Sequence, residues 1–232
     1  MNIKNYYVEK GHGDVIIFLH GNNGDGNYFS HQIDYFFQKY RVIALDTRGH
    51  GKTPRGTKPF SLATFADDLY VFMKNMDIEK AHIVGFSDGA NIAMLFALKY
   101  PECVKTLVLN GGNISPDGVE YELQRSITDE YKALVLTPDK TMEQKRLEEM
   151  LSIMVNEPYI KPSELANIKA RTFVVAGTFD LIKREHTELI YRSLPNAELL
   201  FIDGGHLIAA ENPQTFNKAV EEFLKREQKN CS

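Results

Sequence analysis

Ile83-Val84-Gly85-Phe86-Ser87-Asp88-Gly89-Ala90 is the stretch that decides how this chain folds. It contains G-x-S-x-G, and glycine and serine are common enough that about 8% of random chains of this length carry that pattern. The flanking residues therefore carry the argument. Ala81 to Phe86 is a short apolar, β-branched run, as expected of a strand buried on both faces. Beyond Asn91, the residues Ile92, Leu95, Phe96 and Leu98 follow helical spacing, and Pro101 stands just past the last turn. A tight strand-to-helix turn needs glycine at 85 and 89, where side chains would collide with the neighbouring backbone. Such a turn lifts the Ser87 hydroxyl clear of the sheet and aims helix N–H groups at it. A serine that only capped the helix would leave both glycines unexplained.

Outward from this elbow the chain alternates strand-like and helical patterns. Strands are expected at 15–19, 42–45, 82–86, 106–109, 172–176 and 198–202, and helices at 62–75, 88–99, 187–193 and 213–226. That alternation predicts an α/β fold, a mainly parallel sheet with helices on both faces, its functional loops gathered at the strand C-termini. One segment breaks the rhythm. Between Gly112 and Leu165 no strand pattern occurs, while Leu123, Ile127 and Tyr131, then Leu147, Met150 and Met154, recur at helical spacing. Pro138 separates the two helices, and Pro158 and Pro162 follow the second. The expected organisation is a core of residues 1–111 and 166–232, with 112–165 as a helical cap over the strand ends. Amphipathic stripes of this kind are more often helix-packing surface than ligand contacts, so none of the cap residues is assigned to the site.

Composition narrows the function. The formal charge of −4 gives no electrostatic case for nucleic acid or an anionic membrane as partner. The first seven residues lack the apolar core of a signal peptide, and 15–19 is too short to cross a bilayer. Cys103 and Cys231, far apart in sequence, suggest free thiols in a reducing compartment. The expectation is a soluble cytoplasmic protein, monomeric or homodimeric, whose partner is a small molecule.

Acyl transfer by a serine needs a base, a group to orient that base, and donors for the oxyanion. His206 follows the last expected strand in Asp203-Gly204-Gly205-His206, and Asp180 follows the preceding one in Gly177-Thr178-Phe179-Asp180. The chain order Ser87, Asp180, His206 is the one expected for this elbow type. Among the other histidines, His12, His31 and His186 read as surface or loop residues and His82 as part of a strand. His20 and His50 sit in glycine-rich turns, where a backbone or substrate-positioning role fits them. Asp203 is too close to His206 in sequence to reach its ring, and Asp46 opens a separate glycine turn. For the oxyanion, His20-Gly21-Asn22-Asn23-Gly24 offers backbone N–H groups, with Asn22 the first choice and Asn23 the second, and the N–H of Asp88 supplies the other donor. No histidine spacing suggests zinc, and the serine and base suffice without a metal or cofactor.

Taken together, the His20-Gly21 loop, Asp46-Thr47-Arg48-Gly49-His50-Gly51, the elbow, Asp180 and His206 resemble the α/β-hydrolase superfamily over nearly the whole chain. The resemblance implies a mainly parallel sheet of seven or eight strands, a cap after the sixth family strand and cofactor-free catalysis. The short N-terminus implies loss of the first family strand. It also implies a structural role for Asp46 and Arg48. Relatives that attack with aspartate at the elbow, the haloalkane dehalogenases and epoxide hydrolases, are excluded by Ser87. The tryptophan of the cofactor-free haloperoxidase halide site has no counterpart, since the chain contains none. The elbow with Asp88 is similar to that of the valacyclovirase-like (biphenyl-hydrolase-like) branch, which cleaves α-amino-acid esters. A carboxylate there can hold a substrate ammonium, or simply favour the helix dipole. The expected activity is hydrolysis of small carboxylic esters. Carbon–carbon bond hydrolysis by the same triad, and a non-enzymatic ligand receptor on this fold, are the alternatives.

Overall fold

The computed structural model describes residues 3–228, so Cys231 lies outside the described residues. Seven strands form one sheet: β1 (Tyr7–Lys10), β2 (Val15–Leu19), β3 (Arg41–Leu45), β4 (Ala81–Phe86), β5 (Val104–Asn110), β6 (Arg171–Gly177) and β7 (Ala197–Ile202). Their spatial order is β1-β3-β2-β4-β5-β6-β7. β1 runs antiparallel on β3 at one edge, and every other pairing is parallel. The helices are α1 (Ser30–Phe36), α2 (Leu62–Asn75), α3 (Asp88–Lys99), α4 (Tyr121–Leu136), α5 (Met142–Asn156), α6 (Pro162–Leu165), α7 (Arg184–Ser193), α8 (Ile208–Glu211) and α9 (Pro213–Gln228).

Alternation along each strand feeds two cores. Ile17, Leu19, Ile43, Leu45, Ile83 and Leu107 face one side, packed with residues of α2 and α3. Ile16, Phe18, Val42, Ala44, Val84 and Val108 face the other, packed with residues of α1 and α9. This is the period-2 signature of a sheet covered on both faces, and it makes each strand apolar throughout. Burying each such side chain contributes roughly 1.5–3 kcal/mol, which fixes the strand register and hence the position of every loop at the strand ends.

Four elements lie outside the expected set: β1, α1 and the four-residue helices α6 and α8. β1 has only four residues, two of them exposed, so its pattern is too short to read. α1 has seven residues and no capping side chain. It is held instead by buried Gln32, whose Nε2 donates to Ala209 O and Asn217 Oδ1, both at 2.8 Å.

Arg48 and Asp46 pin the turn after β3. The Arg48 guanidinium, fully buried, makes two parallel bonds to Asp68 of α2, at 2.7 and 2.8 Å. Asp46 accepts from the backbone N–H groups of Gly26 and Lys52, both at 2.8 Å. Both side chains are thus engaged in holding backbone and helix rather than presented to a ligand.

α4 and α5 form an antiparallel hairpin between β5 and β6, and Pro138 lies in its connection as expected. A capping box starts α5: Thr141 Oγ1 accepts from Gln144 N at 3.2 Å, and Gln144 Oε1 accepts from Thr141 N at 2.9 Å. The helical stripes pack unequally. In α4 only Ile127 is buried, whereas α5 buries Met150, Leu151 and Ile153. α5 reaches the core through Glu149, which pairs with Arg55 at 2.8 and 2.5 Å. Just past its end, Glu157 Oε2 accepts from Leu62 N at 2.8 Å.

His186 corrects the sequence reading. It is buried, and its Nε2 accepts from Ile114 N at 3.0 Å, anchoring the root of the inserted hairpin to α7. The partners come from a segment 72 residues away, so nothing local to His186 announces its burial.

Candidate active site

Ser87 sits between β4 and α3 with φ 53° and ψ −120°, a left-handed conformation for a non-glycine residue. Strain of this type costs on the order of 1–3 kcal/mol and persists where the surroundings over-determine it. Here the determinants are plain. A Cβ on Gly85 would lie 2.2 Å from Gly89 O, and one on Gly89 would lie 2.0 Å from Leu19 O. Only glycine at both positions lets strand, turn and neighbouring strand approach this closely. Ser87 N donates to Asn110 O at 2.9 Å, fixing the turn to β5.

Asp180 and His206, from the loops after β6 and β7, meet. His206 Nδ1 and Asp180 Oδ1 are 2.6 Å apart, with side-chain exposures of 13% and 3%. Asp180 is itself oriented: Oδ1 also accepts from Ile182 N at 3.0 Å and Oδ2 from Gly177 N at 3.2 Å. A carboxylate can only accept, so Nδ1 carries the hydrogen and Nε2 is left as the proton acceptor. The Phe86 ring, next to the serine, lies 4.8 Å from the imidazole between centroids. Among the described residues neither Ser87 Oγ nor His206 Nε2 makes a hydrogen bond, so the structure joins the acid to the imidazole but not the imidazole to the serine. In unliganded enzymes such a bond often tightens only when substrate binds.

The rival assignments separate cleanly. Asp203 Oδ1 receives Thr178 Oγ1 at 3.1 Å and makes no bond to His206. His20 Nδ1 lies 2.7 Å from Gly21 O, and its Nε2 accepts from Thr47 N at 3.0 Å, so it braces the loop after β2. Burial lowers the His20 pKa, and burial, aided by the charge of His20, pushes His50 down to about 3. His50 is therefore neutral and structural at ordinary pH.

The loop after β2 lies against the serine: a Cβ on Gly21 would sit 3.0 Å from Ser87 Cβ. The backbone N–H groups of Asn22 and Asp88 donate to no other described residue, which leaves them available to an oxyanion. The Asn22 carboxamide nitrogen uses both of its hydrogens. It donates to Asp88 Oδ2 at 2.9 Å and to Met150 O of α5 at 3.0 Å. Asp88 Oδ1 receives Asn91 Nδ2 at 3.3 Å. Burial pushes the Asp88 carboxyl up to about 6, with the charge of Glu157 adding to it and the bonds from Asn22 and Asn91 opposing. Burial raises Glu157 as well.

Gly111 also shapes the site. It adopts φ +60°, and a Cβ there would lie 2.9 Å from His206 Cε1 and 3.3 Å from Asp180 Oδ2. The Gly111-Gly112 pair immediately after β5 is the sequence signal that marks it. A cavity of about 720 Å³ between α5 and the loop around Phe60 is lined by neither Ser87, Asp180 nor His206. No helix of the described residues is long and apolar enough to cross a membrane.

With this geometry in view, the chain matches the α/β-hydrolase fold family over residues 14–133. A 2-hydroxy-6-oxononadienedioate/2-hydroxy-6-oxononatrienedioate hydrolase of Escherichia coli K12 is 31% identical, over 95% of this chain and 91% of that protein. RutD of Caulobacter vibrioides, which carries the provisional name carbamate hydrolase, is 25% identical over 91% of this chain and 90% of that protein. Among solved structures, a meta-cleavage product hydrolase (CumD) of Pseudomonas fluorescens IP01, a serine-to-alanine mutant complexed with acetates, superposes with TM-score 0.77 and 26% identity. That likeness covers 97% of this chain and 95% of that one. The chain belongs to the α/β-hydrolase family. It is a hydrolase of that fold.

Proposed function

We propose that this protein is a serine hydrolase that cleaves small carboxylic esters through an acyl-enzyme, with Ser87, His206 and Asp180 as the triad. The observation that carries the reading is the strained Ser87 elbow beside the 2.6 Å His206–Asp180 pair. Ser87 Oγ attacks the ester carbonyl carbon as His206 Nε2 takes its proton. Asp180 holds the tautomer and stabilises the imidazolium, and the N–H groups of Asn22 and Asp88 receive the oxyanion. The tetrahedral adduct collapses, and the alcohol leaves with the proton from His206. Water, deprotonated by the same nitrogen, then releases the acid and restores the serine. Residues 112–165 act as the cap that shapes the pocket.

The relatives favour a second reading, carbon–carbon bond hydrolysis by the same triad. Charge argues against the E. coli relative's type of substrate here, because a dioate carries two carboxylates. Asp88 and Glu157 give this site negative charge when ionised, and Asp88 adjoins the nucleophile. A cationic acyl group suits such a site better, which makes amino-acid esters the preferred substrates, with the ammonium held by Asp88.

The test is hydrolysis of p-nitrophenyl acetate, an amino-acid benzyl ester and a dienoate carbon–carbon substrate by wild type and Ser87→Ala. Ester turnover is expected to fall by about 10⁴-fold or more in the variant. Asp88→Asn should weaken amino-ester hydrolysis and spare the neutral ester. Wild-type turnover confined to the dienoate would establish the carbon–carbon reading instead.

A further inference from the structure

Asn22 makes two side-chain contacts that the triad does not require. Its carboxamide nitrogen has two hydrogens, and they go to different parts of the molecule. One meets Asp88 Oδ2 at 2.9 Å, in the first turn of the helix behind the nucleophile; the other meets Met150 O at 3.0 Å, inside the inserted hairpin. These partners lie 66 and 128 residues away in sequence. Asp88 continues the chain on its other side. Its Oδ1 receives Asn91 Nδ2, which also donates to Asn113 Oδ1 at 2.9 Å, while Asn91 Oδ1 accepts from Asn113 N at 2.9 Å. Asn113 lies where the backbone leaves β5 for the hairpin, and its own Nδ2 donates to Ser115 O at 2.9 Å. The loop after β2, the elbow helix, the root of the hairpin and the body of α5 are thus one hydrogen-bonded unit.

We propose that the Asn22 carboxamide is a positioning group that ties the seating of the inserted hairpin to the geometry of the oxyanion loop, with Asp88 as its anchor. The inference rests on the proposed function, because it takes the Asn22 N–H as an oxyanion donor. The backbone N–H and the side chain belong to one residue. Holding the carboxamide between two acceptors therefore restricts the φ and ψ that aim the N–H beside Ser87. When the hairpin lifts, Met150 O is withdrawn, Nδ2 loses one of its two acceptors, and the loop is freer to turn its N–H away. Acyl transfer is fast only with the hairpin seated. The anchor needs a hydrogen-bond acceptor at 88 facing Asn22; an amide oxygen supplies that one bond, while its NH2 then faces Asn91 Nδ2.

The experiment combines steady-state kinetics on p-nitrophenyl acetate with amide hydrogen exchange of α5 in wild type, Asn22→Ala, Asp88→Ala, their double variant and Asp88→Asn. Thermal unfolding checks that each is folded, and Asn22→Asp replaces Asn22→Ala if the latter does not fold. Either alanine variant is expected to lower kcat roughly tenfold, the scale of one lost charge-assisted hydrogen bond, with KM little changed. The double variant should lose no more than the worse single, and Asp88→Asn, which keeps an acceptor toward Asn22, should lose less than Asp88→Ala. Exchange in α5 should rise in Asn22→Ala while that of β4 stays at the wild-type level. Unchanged α5 exchange overturns the coupling whatever the rate does, and so do multiplicative rate effects. If the wild type turns over no ester, the function reading fails by itself, and α5 exchange alone decides whether the clasp exists.

Discussion

Asp88→Asn removes an ionisation at almost constant size, and its effect on stability can be worked from the surroundings of the carboxyl. Burial, with Glu157 nearby, holds this group at about 6 against an ordinary value of 3.8. At about 1.36 kcal/mol per pH unit, the gap corresponds to about 3 kcal/mol in favour of the protonated form in the folded chain. The folded state binds this proton more tightly than the unfolded state does. Stability from the group is therefore fully present at low pH and is lost as pH rises through about 6. Between about pH 4.5 and about pH 7.5 the loss amounts to about 2 kcal/mol, since the unfolded carboxyl is already mostly ionised at the lower limit. Asparagine binds no such proton. Urea unfolding of both proteins at the two pH values should show wild type losing about 2 kcal/mol more than Asp88→Asn over that interval. Taking the difference of differences cancels the titrating groups that do not interact with Asp88 and any pH-independent cost of the substitution. Parallel stability curves, or a wild type that gains on the variant as pH rises, would refute the account of a desolvated Asp88.

Two further substitutions test the supports of the site. Gly111→Ala places a methyl 2.9 Å from His206 Cε1, at a backbone φ of +60°, so it should lower kcat by about 10²-fold through displacement of the imidazole while costing only about 1–2 kcal/mol in stability. Steady-state rates and a urea melt on the same sample check both halves, and an unchanged rate would show that the imidazole tolerates the shift. Asp68→Asn leaves the fully buried Arg48 guanidinium without its counter-charge and should cost about 3–5 kcal/mol. A loss below about 1 kcal/mol in chemical denaturation would mean that the backbone carbonyl of Arg55, which accepts from the Arg48 guanidinium at 3.1 Å, already satisfies that corner.

What could be read from the sequence follows from how local its cause is. The elbow was legible because strand, turn and helix are contiguous, and the glycines at 85 and 89 report a clash between atoms only a few residues apart. Asp180 and His206 were legible by position, because a parallel sheet gathers every post-strand loop at one edge. The pairing of His206 with Asp180 rather than Asp203 follows from the adjacency of β6 and β7, which sequence order suggested. Burial arising from distant partners was not legible. His186 looked like a surface residue because Ile114 and Gly118 enclose it from another part of the chain. The stripe of α4 promised a packed face, yet only Ile127 is enclosed, because α4 lies mainly against α5 rather than against the sheet. The clasp through Asn22 spans 128 residues and uses a backbone carbonyl, which has no sequence signature at all.

Asp88 is where stability and chemistry pull in opposite directions. Asparagine at this position would accept from Asn22 through its amide oxygen, keep the loop anchored, and avoid the cost of about 3 kcal/mol that an ionised carboxyl carries at neutral pH. The clasp alone therefore accounts for a polar residue at 88 but not for a charged one. A helix-dipole contribution is too small to close that gap, being typically about 0.3–1 kcal/mol near a helix N-terminus. On the proposed reading, the charge is accounted for by a cation that arrives with the substrate, for which a desolvated carboxylate beside Ser87 gives a stronger hydrogen bond than an amide. The two roles separate in one variant. Asp88→Asn should keep its rate on p-nitrophenyl acetate and lose about 10-fold or more in kcat/KM on an amino-acid benzyl ester, the effect growing as the ester's own ammonium is kept protonated. Equal losses on both esters would leave the charge at 88 without a substrate to explain it.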